Sequence, residues 1–192
     1  LTGANGTGVR FSKQGFTAAA IVYTEETPGF QDINVICFDT DSRYRGDDDI
    51  VHRITNAMSH FQSWGAEIYC KRIDSTVRGN IGLEIDTMLD KLGNDSVAFL
   101  VASFPDTGRI SSGGYLLVNN IPVHETDVAN DPQRPITESY VPNIIQRQSK
   151  HKVVHVSLDK VLSGIDVLKD TFTEQIHEGT RIIVVDAVTD DH

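Results

Sequence analysis

Six short apolar runs lie along the chain, each bounded by polar or glycine-containing segments. Within most of them the apolar residues follow one another instead of alternating with polar ones, which is typical of strands buried on both faces of a sheet. The runs predict strands at Thr17–Tyr23, Asn34–Phe38, Ala66–Cys70, Ser96–Ser103, Val153–Ser157 and Arg181–Asp186.

Between these runs the apolar residues recur every three or four positions, which is the spacing of one helix face. This spacing predicts a helix from Ile50 to Trp64 and another from Ile81 to Leu92. The glycines that follow each of them are suited to the end of a helix. Further helices are predicted near Tyr140–Ser149 and from Asp166 to His177, and a glycine-rich turn leading into a short helix over Gly3–Gln14.

Alternation of strands and helices indicates an α/β protein. We expect a three-layer α/β/α arrangement with an open, mostly parallel sheet. The irregular stretch from Phe104 to about Thr137 interrupts this order with a β-hairpin pattern, Tyr115–Val118 and Ile121–Val123 across Asn119-Asn120. The hairpin is either a structural excursion over a sheet edge or a flap beside the carboxyl ends of the strands.

Composition narrows the function classes. A chain of 192 residues that is 39% hydrophobic can form a sizeable core, and we expect one domain over residues 1–192. Its 17 Lys and Arg against 27 Asp and Glu, a formal charge of −10, argue against general binding of nucleic acids or anionic membranes. Cys37 and Cys70 lie in apolar runs, which predicts buried, reduced thiols in a cytoplasmic protein.

Three polar clusters follow predicted strands: Asp39–Arg43, Lys71–Asn80 and Phe104–Arg109. In an open α/β sheet, ligands bind beyond the carboxyl ends of the strands, so these clusters could line one crevice. The second cluster precedes a helix N-terminus and carries Arg78, whose guanidinium suits a carboxylate or phosphate. The cluster is either an anion site or an ordinary helix cap with solvated basic residues.

The carboxylates of Asp39 and Asp41 are less specific. Such groups at a strand end can accept hydrogen bonds from sugar hydroxyls, bind Mg²⁺, act as a base, or simply form an Asx-turn. The glycine-rich start of the chain has neither the spacing of a dinucleotide site nor the lysine of a P-loop. An oxidoreductase on a Rossmann-like sheet is therefore disfavoured.

Long motifs in fixed order connect the chain to a known family. TGANGTG, FDTDSR, KRIDSTVRGNIGLEID, ASFPDTGR, VNNIPVHETD and PITESYVP occur in that order. Together they resemble the N-terminal domain of the four-carbon acid sugar kinases. The resemblance implies ATP-dependent phosphorylation of the terminal hydroxyl of threonate, erythronate or 3-oxo-tetronate. It also implies that the N-terminal domain holds the acid, while ATP and Mg²⁺ are held mainly by a separate C-terminal domain.

The matching motifs imply which residues contact the sugar acid. These are Asp41, Ser42, Arg43, Lys71, Asp74, Ser75 and Arg78, with Arg109 and His124 in the irregular stretch. The family's usual Asp-Asp pair would precede Leu1, so the catalytic carboxylate is expected outside this chain. A second departure is Gly6, which stands where the family tends to have an acidic residue.

We interpret the chain as a piece of a longer protein, because it starts without Met and stops just after a strand. The expected partner is a small sugar acid, with no nucleic acid or membrane, and a homo-oligomer is left open. The rival hypothesis from another class is a non-catalytic module that binds a hydroxy acid.

Overall fold

The computed structural model of the protein describes residues 2–24, 29 and 31–192. Within these ranges the chain forms two compact units, one up to Arg72 and one from Ile73 to His192. The boundary falls inside the Lys71–Asn80 cluster, so its polar residues are divided between the two units.

The first unit is a pair of parallel strands with a helix packed against them. Its elements are α1 (Thr2–Lys13), β1 (Ala18–Val22), β2 (Val35–Asp39) and α2 (Asp47–Trp64). β1 and β2 pair in parallel, with Ala18 opposite Val35. α1 approaches both strands at Gly8, where an added Cβ would lie 3.8 Å from Ala18 Cβ and from Cys37 Sγ. The small residue lets the helix pack closely on the strand pair.

Two predictions for this unit are wrong. Gly3–Gln14, expected to begin as a turn, lies mostly in a helix that runs from Thr2 to Lys13, because no proline interrupts it and Gly8 packs on the strands. Ala66–Cys70, expected as a strand, has no regular structure, and Ile68 is 84% exposed. No strand in the described ranges pairs with this segment, and a strand needs a neighbour for its backbone groups.

The two cysteines differ in burial. Cys37 lies on β2 and is buried as predicted, and burial raises the pKa of its thiol. Cys70 is exposed, which contradicts the prediction of burial, because the segment that carries it does not join a sheet.

The second unit contains most of the regular structure. Its elements are α3 (Ile81–Leu92), β3 (Ala98–Leu100), β4 (Arg109–Ser112), β5 (Tyr115–Val118), β6 (Ile121–Pro122), α4 (Val141–Gln146), β7 (Val153–Val156), α5 (Leu158–Leu162), α6 (Ile165–His177) and β8 (Ile182–Val185). β3 and β7 pair in parallel with β8, which lies between them.

The core of this unit lies on both faces of β8. Ile182 and Val184 pack with buried residues of α3 and α4, whereas Ile183 and Val185 pack with residues of α5 and α6. All four side chains are at most 6% exposed. A strand with helices over both faces is the central layer of an α/β/α arrangement, so the α/β prediction is confirmed.

The hairpin prediction is also confirmed, as part of a larger element. β4, β5 and β6 form an antiparallel sheet, in which β4 and β5 connect through Gly113-Gly114 and β5 and β6 through Asn119-Asn120. All four turn residues have positive φ, which two-residue hairpin turns favour. Ser111 exchanges backbone hydrogen bonds of 2.8 and 3.1 Å with Ala187, just after β8. The sheet therefore lies at the carboxyl end of β8.

Candidate functional site

The turn before α3 arranges a carboxylate and a guanidinium of the second unit against each other. Asp74 accepts hydrogen bonds from Arg78 Nε at 2.8 Å and Nη2 at 3.1 Å. The same carboxylate accepts bonds from the Thr76 hydroxyl at 2.5 Å and the Thr76 backbone N–H at 3.3 Å. Four donors on one carboxylate hold the turn in a single geometry.

Val77 shows that this geometry is imposed on the backbone. Its φ is 55°, a left-handed conformation that is rare for a β-branched residue and costs about 1–3 kcal/mol. Its side chain is 3% exposed and belongs to the hydrophobic core with Ile81 and Ile85. Core burial thus holds the turn in a strained conformation, with the side chain of Arg78 directly beyond it.

A second carboxylate reaches Arg78 from the irregular stretch. Arg78 Nη1 donates to Asp131 Oδ2 at 3.2 Å. Side-chain exposures are 24% for Arg78, 10% for Asp74 and 8% for Asp131. The Nε–Nη2 edge of Arg78 is paired with Asp74, so a ligand carboxylate could use that edge only by replacing Asp74.

The N-terminus of α3 is occupied by a side chain. The Gly82 N–H donates to Gln148 Oε1 at 2.9 Å, and Gln148 Nε2 donates to the Gly79 carbonyl at 3.0 Å. A Cβ on Gly82 would lie 2.6 Å from Gln148 Cβ, so only glycine allows this approach. The sequence left open an anion site or an ordinary cap at this helix end. The structure places the neutral amide of Gln148 at Gly82, which sequence reasoning missed because Gln148 is remote in the chain.

A cleft of about 310 Å³ lies beside Arg78. One wall is formed by residues 77–79, and the other by residues 133–138 and the end of α4. Arg78, Arg134 and Arg147 line it with Glu138, whose carboxylate pairs with Arg147 at 2.8 Å. Because Arg78 is also paired with Asp74 and Asp131, the three arginines are balanced by three carboxylates, and a bound anion would have to compete with them.

The predicted residues after β2 lie in the first unit. Asp41 has φ 47° and pairs with Arg45, and this hydrogen bond lowers the pKa of the Asp41 carboxyl. Ser42 is 6% exposed and shares a 3.0 Å hydrogen bond with the Thr40 hydroxyl. Arg43 is half-buried, with its guanidinium 5.9 Å from the Tyr44 ring centre. The loop therefore has a turn-like backbone at Asp41 and carries the exposed charged side chains of Asp41 and Arg45.

Lys71 and its neighbour Arg72 complete the first unit. Lys71 Nζ donates to the Arg72 carbonyl at 3.2 Å. Arg72 extends over α1, where Nη1 donates to the Thr7 hydroxyl at 3.3 Å, and an added Cβ on Gly3 or Gly6 would lie 3.4 Å from its side chain. Gly6 therefore leaves a flat surface beneath a guanidinium, at the position where the family resemblance suggests an acidic residue.

Arg109 and His124 belong to the second unit and are held by different neighbours. Arg109 Nη1 donates to the Thr107 carbonyl, while its Nε is buried with no hydrogen-bond partner among the residues described. His124 Nδ1 lies 2.6 Å from the Ser139 hydroxyl, which also accepts the His124 backbone N–H at 3.1 Å. Ser139, which is 1% exposed, was not predicted and orients the imidazole.

Asp186 is the most buried carboxylate near the hairpin. It is fully buried and accepts hydrogen bonds from Ser111, from the backbone N–H groups of Gly113 and Gly114, and from that of Leu158, at 2.7–3.1 Å. This residue fastens the β4–β5 turn to the end of β8. Its only sequence signal was its place directly after an apolar run.

Neither a metal-binding cluster nor a membrane-spanning helix is found among the described residues. Across residues 2–24, 29 and 31–192, no group of three or more His, Cys, Asp or Glu side chains is arranged to hold a metal ion. In the same ranges no helix is both long and apolar enough to cross a membrane.

Comparison with known proteins identifies the family. The model of the family described as "Sugar-binding N-terminal domain" matches residues 1–192. The chain belongs to this family. The D-erythronate kinase of Heliobacterium modesticaldum is 42% identical to this sugar-binding domain over 191 residues, which are 98% of this chain and 44% of that protein. The D-threonate kinase of Salmonella typhimurium is 34% identical over 189 residues, again 98% and 44%.

The resemblance predicted from the motifs is thereby confirmed, and the sugar-binding domain spans less than half the length of these curated relatives. A solved Bordetella bronchiseptica protein, described as a domain of unknown function with bound citrate and a domain-swapped dimer, has a TM-score of 0.82 and 28% identity. The match covers all of this chain and 46% of the Bordetella bronchiseptica protein. A Haemophilus influenzae structure with a TM-score of 0.86 and 23% identity shows the fold alone.

Proposed function

We propose that this chain is the acid-binding part of an ATP-dependent four-carbon acid sugar kinase. The observation that carries the proposal is the 42% identity to a D-erythronate kinase over 98% of the chain. Arg78 supports it, because a guanidinium beside the cleft suits a carboxylate ligand, which would replace Asp74 on the Nε–Nη2 edge.

The proposed reaction transfers the γ-phosphoryl group of ATP to the terminal hydroxyl of the acid. A bond forms between the hydroxyl oxygen and the γ-phosphorus, the bond from that phosphorus to the β–γ bridging oxygen breaks, and ADP leaves. The hydroxyl proton passes to a general base, which we place in the Asp pair expected before Leu1. Because such transfer depends on positioning, holding the acid is the contribution of this chain.

Each unit carries its own set of proposed contacts. In the first unit they are Asp41, Ser42, Arg43 and Lys71, and in the second they are Asp74, Ser75, Arg78, Arg109 and His124. Guanidinium and ammonium groups would neutralise the carboxylate of the acid, and the Asp and Ser oxygens would accept hydrogen bonds from its hydroxyls.

Among the described residues, no group of three or more His, Cys, Asp or Glu side chains is arranged to hold a metal ion. We therefore assign no step to a metal here. ATP and Mg²⁺ would be held by the remainder of the full-length protein.

A second candidate is a binding module for hydroxy acids that transfers no phosphoryl group. The citrate bound to the Bordetella bronchiseptica protein favours it, because citrate is itself a hydroxylated carboxylic acid. Both functions need the same anion contacts, and they differ in whether ATP is consumed.

The test is a substrate screen on the full-length protein with MgATP, reading ADP release. The panel is D-erythronate, D-threonate and 3-oxo-tetronate, with erythritol as the control that lacks a carboxylate. We expect ADP with at least one acid, D-erythronate first, and none with erythritol. Binding of an acid without ADP would favour the module, and neither binding nor ADP would contradict both functions.

A further inference from the structure

Asp131 joins two parts of the second unit that are far apart in sequence. Its Oδ1 accepts the backbone N–H groups of Gln133 at 3.0 Å and Arg134 at 2.9 Å, and its Oδ2 accepts Arg78 Nη1 at 3.2 Å. The carboxylate is thus fixed by its own loop and aimed at the guanidinium. Residues 133–138 and residues 77–79 are the two walls of the 310 Å³ cleft.

Burial makes this link stronger than a surface ion pair. The Asp131 side chain is 8% exposed and the Arg78 side chain 24%. A charge-assisted hydrogen bond that is largely shielded from water contributes more than an exposed one. Asp131 therefore restricts both the orientation of Arg78 and the position of the loop at Arg134.

Asp74 and Asp131 bind different nitrogen atoms of the Arg78 guanidinium. Asp74 binds Nε and Nη2, and Asp131 binds Nη1, so the plane of the guanidinium is defined from two sides. Loss of Asp131 would leave the Asp74 pair intact but let Nη1 and the 133–138 wall move. The result would be a weaker contact with a bound anion and not the loss of the turn itself.

We propose that Asp131 is a positioning residue for sugar-acid binding, which acts through Arg78 by fixing its guanidinium and the opposite wall of the cleft. This inference rests on the proposed function in one respect, namely that Arg78 meets the carboxylate of the acid. Nothing in it requires Asp131 to touch the ligand.

The test uses Asp131→Asn in the full-length protein, because this change removes the charge and keeps the shape. We expect KM for the preferred four-carbon acid to rise about tenfold or more, with kcat and KM for ATP changed less than about threefold. Asp131→Glu should recover part of the affinity. The matched control is Asp90→Asn, which breaks the exposed pair of Asp90 with Lys150 and should leave KM unchanged.

A double-mutant cycle with Arg78→Lys separates positioning from a structural role. If Asp131 acts through Arg78, Asp131→Asn should have little further effect on KM once Arg78 is Lys. Additive effects, an unchanged KM in Asp131→Asn, or loss of folding in both Asp131 variants by thermal melting would overturn the inference. If the wild-type binds an acid without forming ADP, the kinase proposal fails and the same cycle is read as Kd. If it binds no acid, both fail.

Discussion

Two loops of this protein carry the same pattern of charges in opposite environments. Asp41 and Arg45 in the first unit, and Asp74 and Arg78 in the second, are each an aspartate followed four positions later by its arginine partner. The first pair is 65% and 42% exposed, and the second 10% and 24%. Sequence spacing is identical, so the difference in what each pair contributes must come from burial.

Burial changes both the energy and the geometry of the pair. An exposed ion pair is screened by water and salt and contributes little, whereas a shielded one leaves an uncompensated charge when either partner is removed. Asp74 also accepts two hydrogen bonds from Thr76, and Asp131 adds a second carboxylate on Arg78. The second loop is therefore a network shielded from water, whereas the first is a more exposed network in which Arg45 also lies 3.7 Å from Asp49.

The largest expected effect is on stability. Arg78→Ala removes one cation from two largely buried carboxylates, and we expect it to cost about 3 kcal/mol or more in the free energy of unfolding. The reason is the pairing of Arg78 with both Asp74 and Asp131. Arg45→Ala, the matched change in the exposed pair, should shift the melting temperature far less. Equal shifts in melting temperature for Arg78→Ala and Arg45→Ala would show that burial does not make the two ion pairs different.

Catalytic efficiency should respond to a gentler change at the same residue. Arg78→Lys keeps the charge but cannot form the two parallel hydrogen bonds of a guanidinium. We expect kcat/KM with the preferred four-carbon acid to fall by roughly tenfold in the full-length protein, within the roughly 10- to 150-fold range expected for losing a charge-assisted interaction. Lys150→Arg, in an exposed pair, serves as control. Unchanged kinetics in Arg78→Lys would remove this residue from the site.

How far the sequence predicted this network depends on the range of each contact. The alternation of strands and helices, the hairpin at Asn119-Asn120 and the importance of the Lys71–Asn80 cluster could be predicted, because each depends on neighbouring residues. Asp131 and Gln148 could not be predicted, because Asp131 lies 53 positions from Arg78 and Gln148 lies 66 positions from Gly82. Polar partners of a loop are set by the tertiary fold, which no local pattern encodes.

The errors have a similar origin. Ala66–Cys70 has the composition of a strand, but a strand also requires a neighbouring strand, and none pairs with it in the described part of the chain. The glycines before Gly8 indicated a turn, although in the structure they form the face of α1 beneath the side chain of Arg72. In both cases the structure depends on residues that are distant in sequence: a missing partner strand for Ala66–Cys70, and Arg72 for the glycines of α1.

Backbone strain offers a smaller test of the same comparison. Val77 and Asp41 both have positive φ, but only Val77 is held there by a buried side chain. Val77→Ala should cost about 2 kcal/mol in the free energy of unfolding through lost core burial. Val77→Gly should be no less stable than Val77→Ala, because glycine relieves the left-handed strain. Ala57→Gly inside α2 should show the ordinary preference for alanine. If Val77→Ala is instead more stable than Val77→Gly, the result would contradict backbone strain at position 77.

The smallest effect concerns the exposed pair and its dependence on pH. The hydrogen bond from Arg45 lowers the pKa of the Asp41 carboxyl, with a smaller opposing contribution from burial. A carboxyl whose pKa is lower in the folded state stabilises the fold above its unfolded pKa of about 3.9, and this contribution is lost as the pH falls through the folded value. Wild-type and Asp41→Asn should thus differ slightly in melting temperature at pH 6 and converge only as the pH falls through the lowered folded pKa of Asp41. Arg45→Ala should raise the pKa of Asp41 toward its ordinary value, which carboxyl NMR titration would measure directly. A pKa that stays low without Arg45 would show that Arg53 or another nearby positive charge sets it, and would contradict the pairing with Arg45 as its main cause.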